Sequence, residues 1–467
     1  MRGSILLPSV LALAVGSLLM AGCSSMTTTG SVTPNSSAPT GSSFVVGTDA
    51  PLAAVTSFNL QLSAINAFTS SDCSGTGVSL ISSQSVDFAR FNGLQSLIDM
   101  NDVAAGTYNC VTISLGTATI GYLDASSSGA PTITSENATL STTSLTYPLS
   151  SPMVVAQTGA PVGLHIDFDL HKSIQVDSNG NITGDVTPTF TVKAVNNSDP
   201  GAYIDEFIAA VISTDASANS FTVQGPHGRT FTVNVTGQTE WDGNTALSSL
   251  NSSSIVQVSG FLDRADATID ADEVGQISDS GFYAGGQVTY VTPSSGAASS
   301  FDLYVRGTLP TNTGVTDGNI ATINLSGSEK YSIYWMHGPL AQFLFNPSGL
   351  LAGQHVAVGG PASGAANGSA VTVNRVMLRD WGFNGTVVPG SENSGNGTFQ
   401  IQVNGFAGVL IPEKVTVYLV GNTEFRDGFS GMTSITDNAN IRVVGLLLKD
   451  PTSGNAVLVG HYIDELD

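Results

Sequence analysis

Basic side chains are scarce in this chain: 14 Lys and Arg stand against 36 Asp and Glu in 467 residues, a formal net charge of −22. That balance argues against nucleic acid as a partner and against a polybasic membrane contact, both of which need cationic surfaces. There are only three cysteines and no Cys-x-x-Cys pair. No Gly-x-Ser-x-Gly elbow, phosphate loop or basic aromatic patch occurs, and the six histidines are scattered. After the first 22 residues no apolar run reaches membrane-spanning length. The paired carboxylates Asp205-Glu206, Asp272-Glu273 and Asp464-Glu465 are adjacent in sequence, so on strands each pair points to opposite faces and makes no acid/base dyad. These absences leave no committed chemistry and imply no cofactor. The chain is still a folded one, because 41% of its residues are hydrophobic, enough for real cores.

What is present begins at the N-terminus. Arg2 supplies one positive charge, Ile5 to Met20 form a short apolar segment, and Leu19-Met20-Ala21-Gly22-Cys23 follows. The arrangement resembles a bacterial lipoprotein signal, with Met20 where the pattern has Leu. The resemblance implies removal of residues 1–22, lipidation of Cys23 and anchoring in the cell envelope by the attached acyl chains. Ser24 after the cysteine favours the outer membrane, with the body periplasmic or surface-exposed. Residues 23–42, rich in Ser, Thr, Pro and Gly, read as a flexible tether. Cys73 and Cys110 remain, and in an oxidising compartment they are a candidate disulfide.

Beyond the tether the hydrophobic pattern has period two. Phe58-Asn59-Leu60-Gln61-Leu62 and Val111-Thr112-Ile113-Ser114-Leu115 alternate, and Leu164, Ile166, Phe168 and Leu170 alternate with His165, Asp167, Asp169 and His171. Short alternating runs between Gly, Asn and Ser turns predict an antiparallel sandwich or barrel over 43–199. Phe91 to Ile98 reads as a short helical turn. Thr48-Asp49-Ala50-Pro51, Ala105-Gly106-Thr107-Tyr108, Ile166-Asp167-Phe168-Asp169-Leu170-His171-Lys172-Ser173 and Val186-Thr187-Pro188-Thr189-Phe190, in that order, resemble the domain of unknown function numbered 4382, found in bacterial lipoproteins. That resemblance implies export and a β fold, not a reaction.

From residue 203 the chain repeats itself. Thr239-Glu240-Trp241 corresponds to Thr423-Glu424-Phe425, and Val256-Gln257-Val258-Ser259-Gly260 to Ile441-Arg442-Val443-Val444-Gly445. A divergent copy with His355-Val356-Ala357-Val358-Gly359-Gly360 lies between them. Residues 203–278, 282–380 and 381–467 are thus three related units, similar to the domain of unknown function numbered 5666, which implies small OB-like barrels. The fold class expected is all-β: a β-sandwich-like domain followed by three β-barrel repeats. Trp241 and Phe425 are expected to plug barrel interiors, and the VxVxG glycine to let a strand bend.

Two clusters are candidate sites. His165, Asp167, Asp169 and His171 would share a strand face, and His and Asp are metal ligands; the alternative is a solvated outer face. Tyr331, Tyr334, Trp335 and His337 form an aromatic-rich patch that could stack on a sugar or a partner; the alternative is a modified core strand. Asp177-Ser178-Asn179-Gly180-Asn181 reads as a hairpin turn rather than a calcium loop. The expectation is a lipid-anchored, non-enzymatic binding or scaffolding module that contacts an envelope protein or a polysaccharide. The alternative is a carbohydrate-active or metal-assisted hydrolase.

Overall fold

A computed structural model describes residues 39–466 apart from 51–54, 82, 92, 125–129, 179–180, 226–228, 243–244, 265–267, 312, 335–342, 362–369, 404–409 and 427. The signal, Cys23 and most of the tether therefore lie outside the described residues. The fold is all-β, as the period-two pattern requires: a β-sandwich-like domain followed by three barrel-like units, the last of them a closed barrel.

The N-terminal domain is two stacked sheets. One has four strands in the order Phe190–Asn196, Val162–Asp169, Thr40–Ala50, Ser96–Ala104. Its first strand starts inside the expected tether, where Thr40 and Ser42 already pair with Ala104 and Asp102. The other sheet has eight strands, centred on the long pair Val55–Phe68 and Gly106–Asp124. Between them Phe58, Phe88, Phe168 and Phe190 meet in stacked and edge-to-face contacts 4.7–5.8 Å apart, an arrangement that ring quadrupoles favour. The expected helical turn at 91–98 is not one: a 3-10 turn covers Phe88–Arg90, and Ser96 to Ile98 open a strand. Sheet pairing to Thr40–Ala50 overrides the helical spacing there. A disulfide joins Cys73 to Cys110 across 37 residues, tying the loop after Val55–Phe68 to its neighbour strand.

Each C-terminal unit is a ring of five strands in the order 1-2-3-5-4, with strands 3 and 5 parallel. In the first ring Thr230–Asn234 pairs in parallel with Thr268–Ser278; in the last Lys414–Arg426 pairs likewise with Ala456–Glu465, closing a barrel. In the middle ring the fifth strand is interrupted: Ala370–Thr372 pairs with Ile320–Asn324, and Arg375–Arg379 pairs with His355–Pro361.

The repeated motifs now have physical reasons. Thr239 Oγ1 donates to the Ala271 carbonyl at 2.8 Å and accepts from Thr236 N, while Thr423 Oγ1 donates to Gly460 O at 2.8 Å and accepts from Val420 N. One hydroxyl thus pins the chain against strand 5 in both copies. Trp241 and Phe425 pack against the cores of their rings. Gly260 and Gly445 sit at bulges where strand 4 crosses strand 5. A Cβ there would lie 2.1 Å from Asp270 O and 2.0 Å from Val459 O, so only glycine fits.

The units are docked through strands buried on both faces. Val45 points into the sandwich core, while Phe44 and Val46 enter the core of the first barrel. Leu447 and Leu458 belong to the last barrel's core, while Leu446, Leu448, Val457 and Val459 belong to the middle one's. The whole of Pro39–Asp467 is one compact unit.

Candidate functional site

The few arginines lie mainly at the seams between units. Arg229 of the first barrel donates to Met100 O of the sandwich, Arg306 of the middle barrel to Ala89 O, and Arg442 of the last barrel to Asp49 O at 3.2 Å. Arg375 donates to Gln276 O at 2.8 Å. Arg379, 1% exposed, lies 2.9 Å from Glu206 and donates to Gln257 Oε1 at 2.6 Å. Burial works against the Glu206 carboxylate, but the guanidinium beside it holds its pKa below the usual value.

Several of the singled-out residues belong to these seams. Asp49 of the Thr-Asp-Ala-Pro segment is fully buried and accepts from Gly93 N at 2.6 Å; burial pushes its pKa up to about 8. The His165/Asp167 face is half-buried rather than an open outer face: Arg442 of the last barrel lines one cavity with His165 and opposes the upward push of burial on Asp167. Nor do the four metal candidates converge. Asp169 caps a helical turn, Leu170–Ser173, accepting from Lys172 N at 2.8 Å, and His171 is exposed on that turn rather than on the strand. Among the described residues no three His, Cys, Asp or Glu side chains group as a metal site. At the Asp177 turn, Asp177 N donates to Asn181 O at 2.8 Å, closing a hairpin.

Of the aromatic patch, Tyr331 and Tyr334 are described. Tyr334 is 3% exposed, and its hydroxyl meets Ser259 Oγ at 2.7 Å across the seam between the first and middle barrels. Tyr331 packs edge-on against Phe345, with ring centroids 5.5 Å apart. Tyr331 lies on the strand Lys330–Ile333, which runs alongside Arg375–Arg379, and Tyr334 directly follows it. Trp335 and His337 lie outside the described residues.

The concave site is elsewhere. A cleft of about 860 Å³ opens between the first and last barrels. Tyr203 and Phe261 meet edge-to-face on its wall, centroids 4.9 Å apart. Asp205, Glu240, Asp272, Glu273 and Glu424 line it, together with Gln238 and Asn422. Asp205 accepts from Gln95 N at 2.7 Å, and burial pushes its pKa up to about 6 against the pull of Arg426. Burial, with Asp270 nearby, also raises Asp272, which is hydrogen-bonded to Tyr203. Arg426 pairs with Glu424 at 2.7 Å and lies 3.9 Å from the Tyr462 ring centroid. His461 Nδ1 is 2.7 Å from Asp380. Adjacent to the cleft, and sharing Pro200 and Arg426 with it, is a second cavity of about 340 Å³ lined by Thr48, His165, Lys193 and Arg442 among others. Sequence reasoning missed this site because its walls come from two separate stretches of chain, residues 200–273 and 422–461. The one local signal was the unusual clustering of carboxylates at 205–206 and 272–273.

No curated protein matches the chain. Family models do match two segments, each described as a domain of unknown function. Residues 42–183, which build most of the sandwich, fit one, and residues 209–275, which build the first barrel, fit the other. Residues 42–183 thus match the DUF4382 model and residues 209–275, after them in the chain, the DUF5666 model.

Proposed function

We propose that this is a lipid-anchored cell-envelope protein, attached to the outer membrane through Cys23, whose docked barrels bind a polysaccharide in the cleft between the first and last of them. The observation that carries the reading is the lining of that cleft: the Tyr203–Phe261 pair beside planar carboxylates and amides of Asp205, Glu240, Asp272, Gln238 and Asn422. Aromatic side chains offer apolar faces to sugar rings, and fixed carboxylates and amides read hydroxyls. A volume of about 860 Å³ admits several sugar units. A glycan array probed with the purified chain tests this. Binding to a defined glycan, weakened in Tyr203→Ala and Phe261→Ala, supports it; an empty array with capture of one envelope protein replaces it with a scaffold. Labelled palmitate incorporated by the native chain and not by Cys23→Ala tests the anchor.

One observation favours a second reading, glycan hydrolysis. Asp205, with its pKa pushed up to about 6 in the cleft that Asp272 also lines, has the partly protonated state a general acid needs. New reducing ends appearing from a bound glycan, and lost in Asp205→Asn, would establish it.

A further inference from the structure

The smaller cavity inverts the charge of its surroundings. In a chain with net charge −22, Lys193, Arg426 and Arg442 converge on a space of about 340 Å³, against Asp199 and Asp464. The two acids are engaged: Asp464 pairs with Arg442 at 3.2 Å, and Asp199 accepts from Asn196 N at 2.8 Å. Lys193 is exposed and has no ion-pair partner within 4 Å among the described residues. It stands opposite His165 across paired strands. His165 offers a neutral ring at pH 7, since burial together with Arg442 and Lys193 lowers its pKa to about 4.

Two polar atoms on the wall lack partners. Thr48 is 2% exposed and its Oγ1 makes no hydrogen bond, and the buried Oε1 of Gln95 makes none either. A buried hydroxyl without a partner is unfavourable, and a ligand oxygen accepting from it would relieve that. Arg442 is held in place by Asp464 and the Asp49 carbonyl, so the cation is preorganised rather than recruited.

The larger cleft next door carries five carboxylates against Arg426 and His461. A polyanion cannot occupy both spaces, because each further carboxylate would face that acidic wall. A ligand with one anionic group and neutral or ammonium-bearing neighbours fits both.

We infer that the smaller cavity binds the carboxylate of an acidic sugar, a uronate, with the adjoining neutral or amino sugars of the same glycan lying in the aromatic cleft. The inference rests on the glycan reading above and specifies its substrate class. Lys193 supplies the free charge at the mouth, Arg442 the fixed charge inside, and Thr48 and His165 the neutral hydrogen bonds.

The test uses the purified full chain and a panel of oligosaccharides in matched pairs, each uronate-containing glycan beside its carboxyl-reduced counterpart, with inorganic phosphate as competitor. A charge-assisted contact predicts that the uronate member binds roughly tenfold or more tighter than its reduced partner. Lys193→Glu should abolish that ratio. Because Lys193 is exposed on its strand, the variant should melt with the native protein, and Lys193→Met should give the same loss without charge reversal. Equal binding of both members by the native chain overturns this inference and leaves the glycan reading standing. No binding of any pair overturns both, and a preserved ratio in both Lys193 variants removes the cavity from the site.

Discussion

Glu206→Ala is the sharpest probe of how the units are held together. Glu206 lies on the first strand of the first barrel and Arg379 on the last strand of the middle one, 2.9 Å apart, with side chains 10% and 1% exposed. Removing the carboxylate leaves a guanidinium buried at a seam with the Gln257 amide as its remaining side-chain acceptor. Breaking a buried pair by deleting one partner costs about 3–5 kcal/mol, whereas replacing both by apolar groups of similar volume is often close to neutral. Glu206→Ala should therefore lower the urea midpoint strongly, and Glu206→Leu with Arg379→Met should recover most of the loss. Trp381, 4% exposed and two residues beyond Arg379, gives a local fluorescence signal to set beside circular dichroism of the whole chain. If the single change costs less than about 1 kcal/mol, the range typical of exposed pairs, or if the double variant is no better than the single one, the seam is not held by this pair.

Asp49 gives a pH signature. Its folded pKa of about 8 lies above the 3.8 of a free aspartate side chain, so between those values the native state binds a proton that the unfolded chain has released. Stability contributed at this site is fully present below pH 3.8 and is lost as pH rises through 8; relative to Asp49→Asn, the native protein should lose about 1.4 kcal/mol per pH unit within that window. A flat difference between the two proteins would refute it. Replacing Cys73 and Cys110 by serine opens a loop spanning 37 residues, and chain entropy sets the cost at roughly 4 kcal/mol, read as a lower thermal midpoint than that of the oxidised protein. Gly445→Ala forces a Cβ to within 2.0 Å of the Val459 carbonyl and should cost about 1–3 kcal/mol as an overpacked contact, while Gly421→Ala, whose Cβ meets nothing within 4 Å, should be neutral; equal melting of the two would show that the bulge is not sterically required.

The sequence by itself determined the β class and the repeated architecture. Alternation in Leu164–Leu170 requires one buried face whatever that face packs on, and the repeated threonine and VxVxG glycine act through contacts within a single barrel, so their spacing carries their meaning. It could not show what covers the other face of a strand. His165 and Asp167 read as solvated or metal-binding until Arg442, some 275 residues away, was found to act on both, and Tyr334 read as either a binding aromatic or a core residue until Ser259 was found against it. The helical reading of 91–98 failed for the same reason, since pairing with Thr40–Ala50 decides that segment. Only the tertiary structure decided that the units dock, that scarce arginines join their seams, and that an acidic cleft and a basic cavity lie side by side. Periodicity is a local property of the chain, whereas a seam forms from two surfaces whose residues share no sequence neighbourhood.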